Sequence, residues 1–108
     1  MTKRKNWTDA ENAAIVALYF RMRAAVDAGE KLNKAAMIRE ARAGELCDRS
    51  RGSVEAKLMN ISGALADMGR EDVSLHNHGY KAASAYQKSM RAAVAEYLGI
   101  ADEWSAQA

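Results

Sequence analysis

Apolar residues recur along this chain at steps of three and four, the spacing of one helix face, and almost nowhere alternate as in a strand. Ile15, Leu18, Tyr19, Met22 and Val26 form the first such face. It is preceded by Thr8-Asp9-Ala10-Glu11, a capping box in which Thr8 caps and Glu11 reaches back from the third helical position. Trp7 stands just before the cap, where it can staple onto residues one turn inside, and Gly29 offers a stop. A second, shorter helix is predicted from Asn33, carrying Met37, Ile38 and Ala41 inward and ending near Gly44. Ser50 caps a third, in which Val54, Leu58, Ile61, Leu65 and Met68 repeat before Gly69. A fourth is predicted over 82–98, with Tyr86, Met90, Val94 and Tyr97 or Leu98 on one face and Gly99 as its stop. Between the third and fourth lies a polar loop, 70–80, and there is no proline to interrupt any helix.

This parse predicts an all-α fold: a compact four-helix domain with a trihelical helix-turn-helix core plus a C-terminal helix. A chain of 108 residues, 49% of them hydrophobic, suits one globular domain. Residues 1–6 read as a basic arm, 7–98 as the folded module and 99–108 as a tail, whose Trp104 can dock back. No apolar run approaches a membrane span and no secretory leader is evident, so no membrane association is expected. The single cysteine, Cys47, rules out an internal disulfide and suits a reducing cytoplasm.

Charge sharpens the reading. Net charge is only +2, but residues 1–60 hold 12 Lys and Arg against 8 Asp and Glu, whereas residues 61–108 hold 4 against 6. A basic N-terminal half points to a polyanionic partner. The basic turn that opens the third helix is the strongest local signal. Arg49 and Arg51 flank its N-cap, where backbone N–H groups already attract anions. Ser53, Lys57, Asn60 and Ala64 share a stripe beside its apolar face. That stripe is either a solvated helix surface or a reading surface for a duplex groove.

As a DNA-binding surface the residues divide by role. Lys3, Arg4 and Lys5 form an arm for phosphates or a minor groove, and Arg49 and Arg51 clamp backbone phosphates. Lys57 reaches guanine or phosphate, and Ser53 lies on the same stripe. Asn60 either pairs with adenine or ties the third helix to the loop before Gly79. Lys81, Gln87, Lys88 and Arg91 extend the surface if the fourth helix borders the same groove. Gly79-Tyr80-Lys81 has a plain structural reading too, a positive-φ glycine and a ring packed on the core.

Two resemblances bear on these residues. Trp7-Thr8-x-x-Glu11 followed by Arg49-Ser50-x-x-Ser53-Val54 resembles the Myb/SANT and homeodomain-type arrangement, which implies that the third helix reads DNA. The longer series adds Tyr19, Asn33-Lys34, Lys57-x-x-Asn60-Ile61-Ser62, Gly79-Tyr80-Lys81 and Tyr86-Gln87. It is similar to an N-terminal recognition module found ahead of nuclease domains in bacterial HNH-type endonucleases and related defence proteins. That resemblance covers about residues 7 to 98 and implies target recognition on duplex DNA. Ala82 stands where that family usually has proline, and no nuclease domain follows the module in this sequence.

Enzymatic signatures are missing: there is no phosphate-binding glycine loop, nucleophile elbow or dinucleotide fingerprint. His76-Asn77-His78 is too short to be a nuclease signature, and with Cys47 it lacks the paired spacing of a zinc site. Cys47 adjoins Asp48, whose charge disfavours a thiolate. The expectation is therefore a non-catalytic, cytoplasmic DNA-binding module without metal or cofactor, with a homodimer as an option for half-site recognition. The alternative is a small phage or mobile-element protein that inhibits a host defence nuclease, anti-CRISPR or anti-restriction, through protein–protein contacts.

Overall fold

The computed structural model describes residues 6–100, and within them the fold is all-α. Four helices form in order: α1 (Asp9–Asp27), α2 (Lys34–Arg42), α3 (Arg51–Asp67) and α4 (Lys88–Leu98). A short 3-10 turn, Glu71–Val73, follows α3. Lys3, Arg4, Lys5 and Trp104, singled out by the sequence, lie outside the described residues.

The helix starts follow local chemistry. Thr8 Oγ1 accepts the Glu11 N–H at 3.1 Å and Glu11 Oε1 accepts the Thr8 N–H at 2.9 Å, which closes the capping box. Asn33 accepts from the Ala36 N–H, and Ser50 from the Ser53 N–H, both at 3.1 Å. Each cap satisfies a backbone donor that the helix itself cannot pair. At the other end of the molecule Gly99 takes φ 68°, a left-handed conformation that stops α4 at little steric cost.

The core joins Ile15, Leu18, Tyr19 and Met22 of α1 to Val54, Leu58, Ile61 and Leu65 of α3, with Met90 and Val94 of α4 and Ile38 of α2. Leu46, from the turn after α2, and Leu75 and Tyr80, from the loop after α3, complete it. The 70–80 loop is thus more than the polar connection its composition suggests, since Ser74, Leu75 and Tyr80 are buried. Tyr19 anchors it. Its hydroxyl accepts the Leu75 N–H at 2.7 Å, lies 2.8 Å from Ser62 Oγ, and donates to Ser74 Oγ at 3.2 Å. Four polar groups that would otherwise be buried without partners satisfy one another there.

The fourth helix departs from the pattern-based expectation. It begins at Lys88 rather than near 82, and residues 82–87 form a strap laid along α3. Three contacts hold the strap there. The Ala83 N–H donates to the Met59 carbonyl at 3.2 Å, Lys57 Nζ donates to Gln87 Oε1 at 3.2 Å, and the Tyr86 hydroxyl donates to Asp67 Oδ2 at 2.6 Å. A helix through 82–87 would draw this backbone away from α3 and forfeit them. Gly63 permits the approach, since a Cβ at that position would fall onto the Ala83 carbonyl oxygen.

Gly63→Ala therefore forces backbone apart instead of filling a space. The expected result is a loss of about 1–3 kcal/mol in chemical unfolding, with the largest amide shift changes in 81–87. Tyr19→Phe removes the central hydroxyl and strands its partners, and should cost about 2–3 kcal/mol in the same assay.

Candidate nucleic-acid interface

Arg49 does not face solvent. Its Nε donates to Glu11 Oε2 at 2.8 Å and its Nη2 to Glu11 Oε1 at 2.7 Å, a two-pronged ion pair across 38 residues of sequence. A further bond from Nη2 reaches the Asn6 carbonyl at 3.0 Å. The guanidinium sits 4.9 Å from the centre of the Trp7 ring. Side-chain exposure is 9% for Arg49 and 12% for Glu11, so the pair is largely shielded from water. The phosphate clamp expected of Arg49 is corrected accordingly: its donors close the first helix onto the turn before α3.

Electrostatics follow from that geometry. The Arg49 hydrogen bonds hold the Glu11 carboxyl down to about 2, against an ordinary value of 4.5, and the Thr8 contacts add to the effect. Glu11 in turn pushes the Arg49 guanidinium further up. One carboxylate thus caps α1 and pairs with Arg49, where the sequence suggested only the cap.

Lys57 is also turned inward. It is 9% exposed, lies 5.3 Å from the Trp7 ring centre and donates to Gln87. Burial, and then the nearby Arg49 charge, push its pKa down. Its neighbours on the expected reading stripe are covered to varying degrees. Ala64 is fully buried, while Ser53 and Asn60 are half-buried. The stripe therefore lies largely against the strap and Trp7. Eight residues of α3 are buried, on several sides, so α3 is the central helix of the fold. The expectation that Lys57 reaches a base or phosphate is corrected for the same reason: its ammonium is spent inside the fold.

Other cations lie near Tyr80. Lys34 Nζ lies 4.5 Å above the Tyr80 ring, next to Gly79, and Arg51 acts on the Tyr80 hydroxyl electrostatically. Lys81 follows Tyr80 directly and is exposed. Arg51, at the first position of α3, is 56% exposed in its side chain and makes only a loose 3.9 Å contact with Glu55. No acidic residue occupies the first turn of α3, and Glu55, one turn on, is the carboxylate that reaches Arg51. Tyr80 is 3% exposed, and burial, followed by the Glu55 charge, pushes its hydroxyl up to about 12. Lys34 is the member of this cluster that the sequence did not single out for nucleic-acid binding; it appeared there only as part of the Asn33-Lys34 element of a resemblance.

The remaining positions are dispersed. Lys88 and Gln87 are exposed at the start of α4, and Arg91 is half-buried beside the Tyr86 hydroxyl, whose pKa is raised by burial and by Asp67. His76 buries its Nδ1 while His78 is exposed, so the two rings face different surroundings. Cys47 is exposed, with Sγ 3.9 Å from Asp48 Oδ1. Among the described residues no helix is long and apolar enough to cross a membrane.

The depressed Glu11 pKa makes a stability prediction. Its folded value lies below its unfolded value, so the stabilisation is complete above about pH 5 and is lost as pH falls from 4.5 toward 2. Glu11→Gln should cost about 1–2 kcal/mol at pH 7, after allowance for solvent screening near the surface. It should also flatten the acid limb, as followed by circular dichroism in urea at a series of pH values. In comparisons with known proteins, no family model, no curated protein and no solved structure matches this chain.

Proposed function

We propose that this chain is a non-catalytic, cytoplasmic DNA-binding module that grips duplex phosphates at the N-terminal end of α3, not along the length of that helix. The observation that carries the reading is that Lys34 lies over the Tyr80 ring and Arg51 acts on the Tyr80 hydroxyl from a distant stretch of sequence, with exposed Lys81 next to Tyr80 in the chain. Cations outnumber the one carboxylate, Glu55, near a helix start that has no acid in its first turn, which makes an anion-attracting edge. Phosphate contacts fix position without reading sequence. The helix-turn-helix resemblance of the Trp7 and Arg49-Ser50 motifs supports DNA as the polyanion. In this reading Arg49 and Lys57 act indirectly, by holding Trp7 and the start of α3 in place.

The test is fluorescence anisotropy with a random duplex at about 50 and 200 mM salt. Three phosphate contacts predict a loss of roughly 30- to 40-fold in affinity between those conditions. Arg51→Ala/Lys81→Ala should reduce the logarithmic salt slope by about 2. Lys57→Ala should lower stability and leave the slope unchanged. Salt-independent traces, or a slope that depends on Lys57 and not on Arg51, would overturn the proposal.

A further inference from the structure

A groove of about 730 Å³ runs between α1 and α4, on surface that the nucleic-acid reading does not use. The two helices lie side by side in the same direction, since Asn12 meets Ser89 near one end and Phe20 stacks on Tyr97 further along. Ala10, Ala13 and Val16 line one wall, and Ala92 and Ala93 the other, which makes a shallow apolar floor. Each end carries a different polar group. Asp9 lies beyond Asn12 at one end, and Glu96 beside Tyr97 at the other. Along the helix axes the two carboxylates are about 15 Å apart, at 1.5 Å per residue. The lining holds both carboxylates and no cation.

Two further observations mark the groove as unfinished. Asn12 is 2% exposed and lines it, yet its Oδ1 has no hydrogen-bond partner, while its Nδ2 makes only a 3.5 Å contact with Ser89 Oγ. A buried amide carbonyl left without a donor is costly, so a ligand that brings one gains what the free protein lacks. Tyr97 is 52% exposed although its ring is stacked on Phe20 at 4.8 Å and 7°. A large aromatic surface is therefore held in place at the Glu96 end.

We infer that the α1–α4 groove binds a segment of a partner polypeptide that carries arginine at both ends of a short apolar stretch. The charge of the groove selects a cation, and its polar groups favour guanidinium over ammonium. A planar guanidinium is weakly hydrated, offers forked donors to a carboxylate and stacks on an aromatic face, which Glu96 and Tyr97 together provide. At the other end the donors of a second guanidinium serve Asp9 and the Asn12 carbonyl. The separation of the two ends argues for a polypeptide: a single small cation satisfies one carboxylate, whereas two arginines four residues apart in an extended chain point to the same side, span about 13 Å along the backbone and reach further with their long side chains. Small apolar side chains between them match the alanine floor.

The test is an NMR titration of the labelled full chain with a capped hexapeptide, Arg-Ala-Leu-Ala-Arg-Ala. Saturable shifts are expected at Ala13, Ala92, Tyr97 and the Asn12 side-chain amide, with affinity falling as salt rises. Replacing both arginines by citrulline, a neutral isostere, should weaken binding at least tenfold. A peptide of the same composition with adjacent arginines should bind at least threefold more weakly, and so should agmatine, a single free guanidinium. Asp9→Asn and Glu96→Gln, both at exposed positions, should each weaken the hexapeptide while leaving the spectrum of the free protein otherwise unchanged. No saturable shift, citrulline peptide binding within twofold of the parent, or indifference to both substitutions would overturn the inference. Agmatine binding as tightly as the hexapeptide would overturn the polypeptide as the ligand. Because Arg51 and Lys81 lie outside the groove, Arg51→Ala/Lys81→Ala should not alter any of these results, which separates this inference from the DNA reading.

Discussion

The backbone of Ala83 lies so close to α3 that only a residue without a side chain fits at position 63. That approach decides how the surface of the molecule is shared out. With the strap 82–87 seated on α3, the third helix is enclosed by α1, α2, α4 and the strap, and its stripe of Lys57, Asn60 and Ala64 is largely drawn into the fold. A helix buried on several sides provides the framework on which the others pack, and what it presents outward is chiefly its N-terminal end.

The second constraint is the Glu11–Arg49 pair. It sits where the start of α1 meets the turn into α3, and it holds Trp7 under two cations. A largely shielded ion pair contributes less to stability than its short distances suggest, because both charges lose water. Its larger consequence here is placement. With Arg49 fixed, Ser50 caps α3 and Arg51 is exposed within electrostatic reach of Tyr80. The exposed cations and the buried ones therefore belong to one arrangement, in which the buried pair orients the helix end that carries the exposed ones.

Two faces of different chemistry result. Lys34 lies over Tyr80, with Arg51 within electrostatic reach and Lys81 next to it in the chain, whereas the α1–α4 groove is edged by Asp9 and Glu96 over a floor of alanines. Such a separation of charge is compatible with a low net charge of +2, and it explains how a nearly neutral chain can present a basic edge.

Helix number, caps and most of the core were legible in the sequence, because these depend on neighbours within one or two turns. The Thr8–Glu11 box, the Ser50 cap, the start of α2 at Asn33 and the apolar faces of α1 and α3 all stand where their spacing put them. The late start of α4 was not legible. Residues 82–87 are compatible with a helix locally, and only contacts with Met59, Asp67 and Lys57 hold them extended. The fate of each cation was equally hidden. Arg49, Arg51 and Lys57 look alike in a basic segment, but Glu11, 38 residues away from Arg49, and Gln87, 30 away from Lys57, turn two of them inward. Lys34 joins Arg51 through the packing of Tyr80. Local spacing determines which residues can form a helix and which face is apolar; which charges meet water is decided by long-range packing, since partners distant in sequence leave no periodic trace in it.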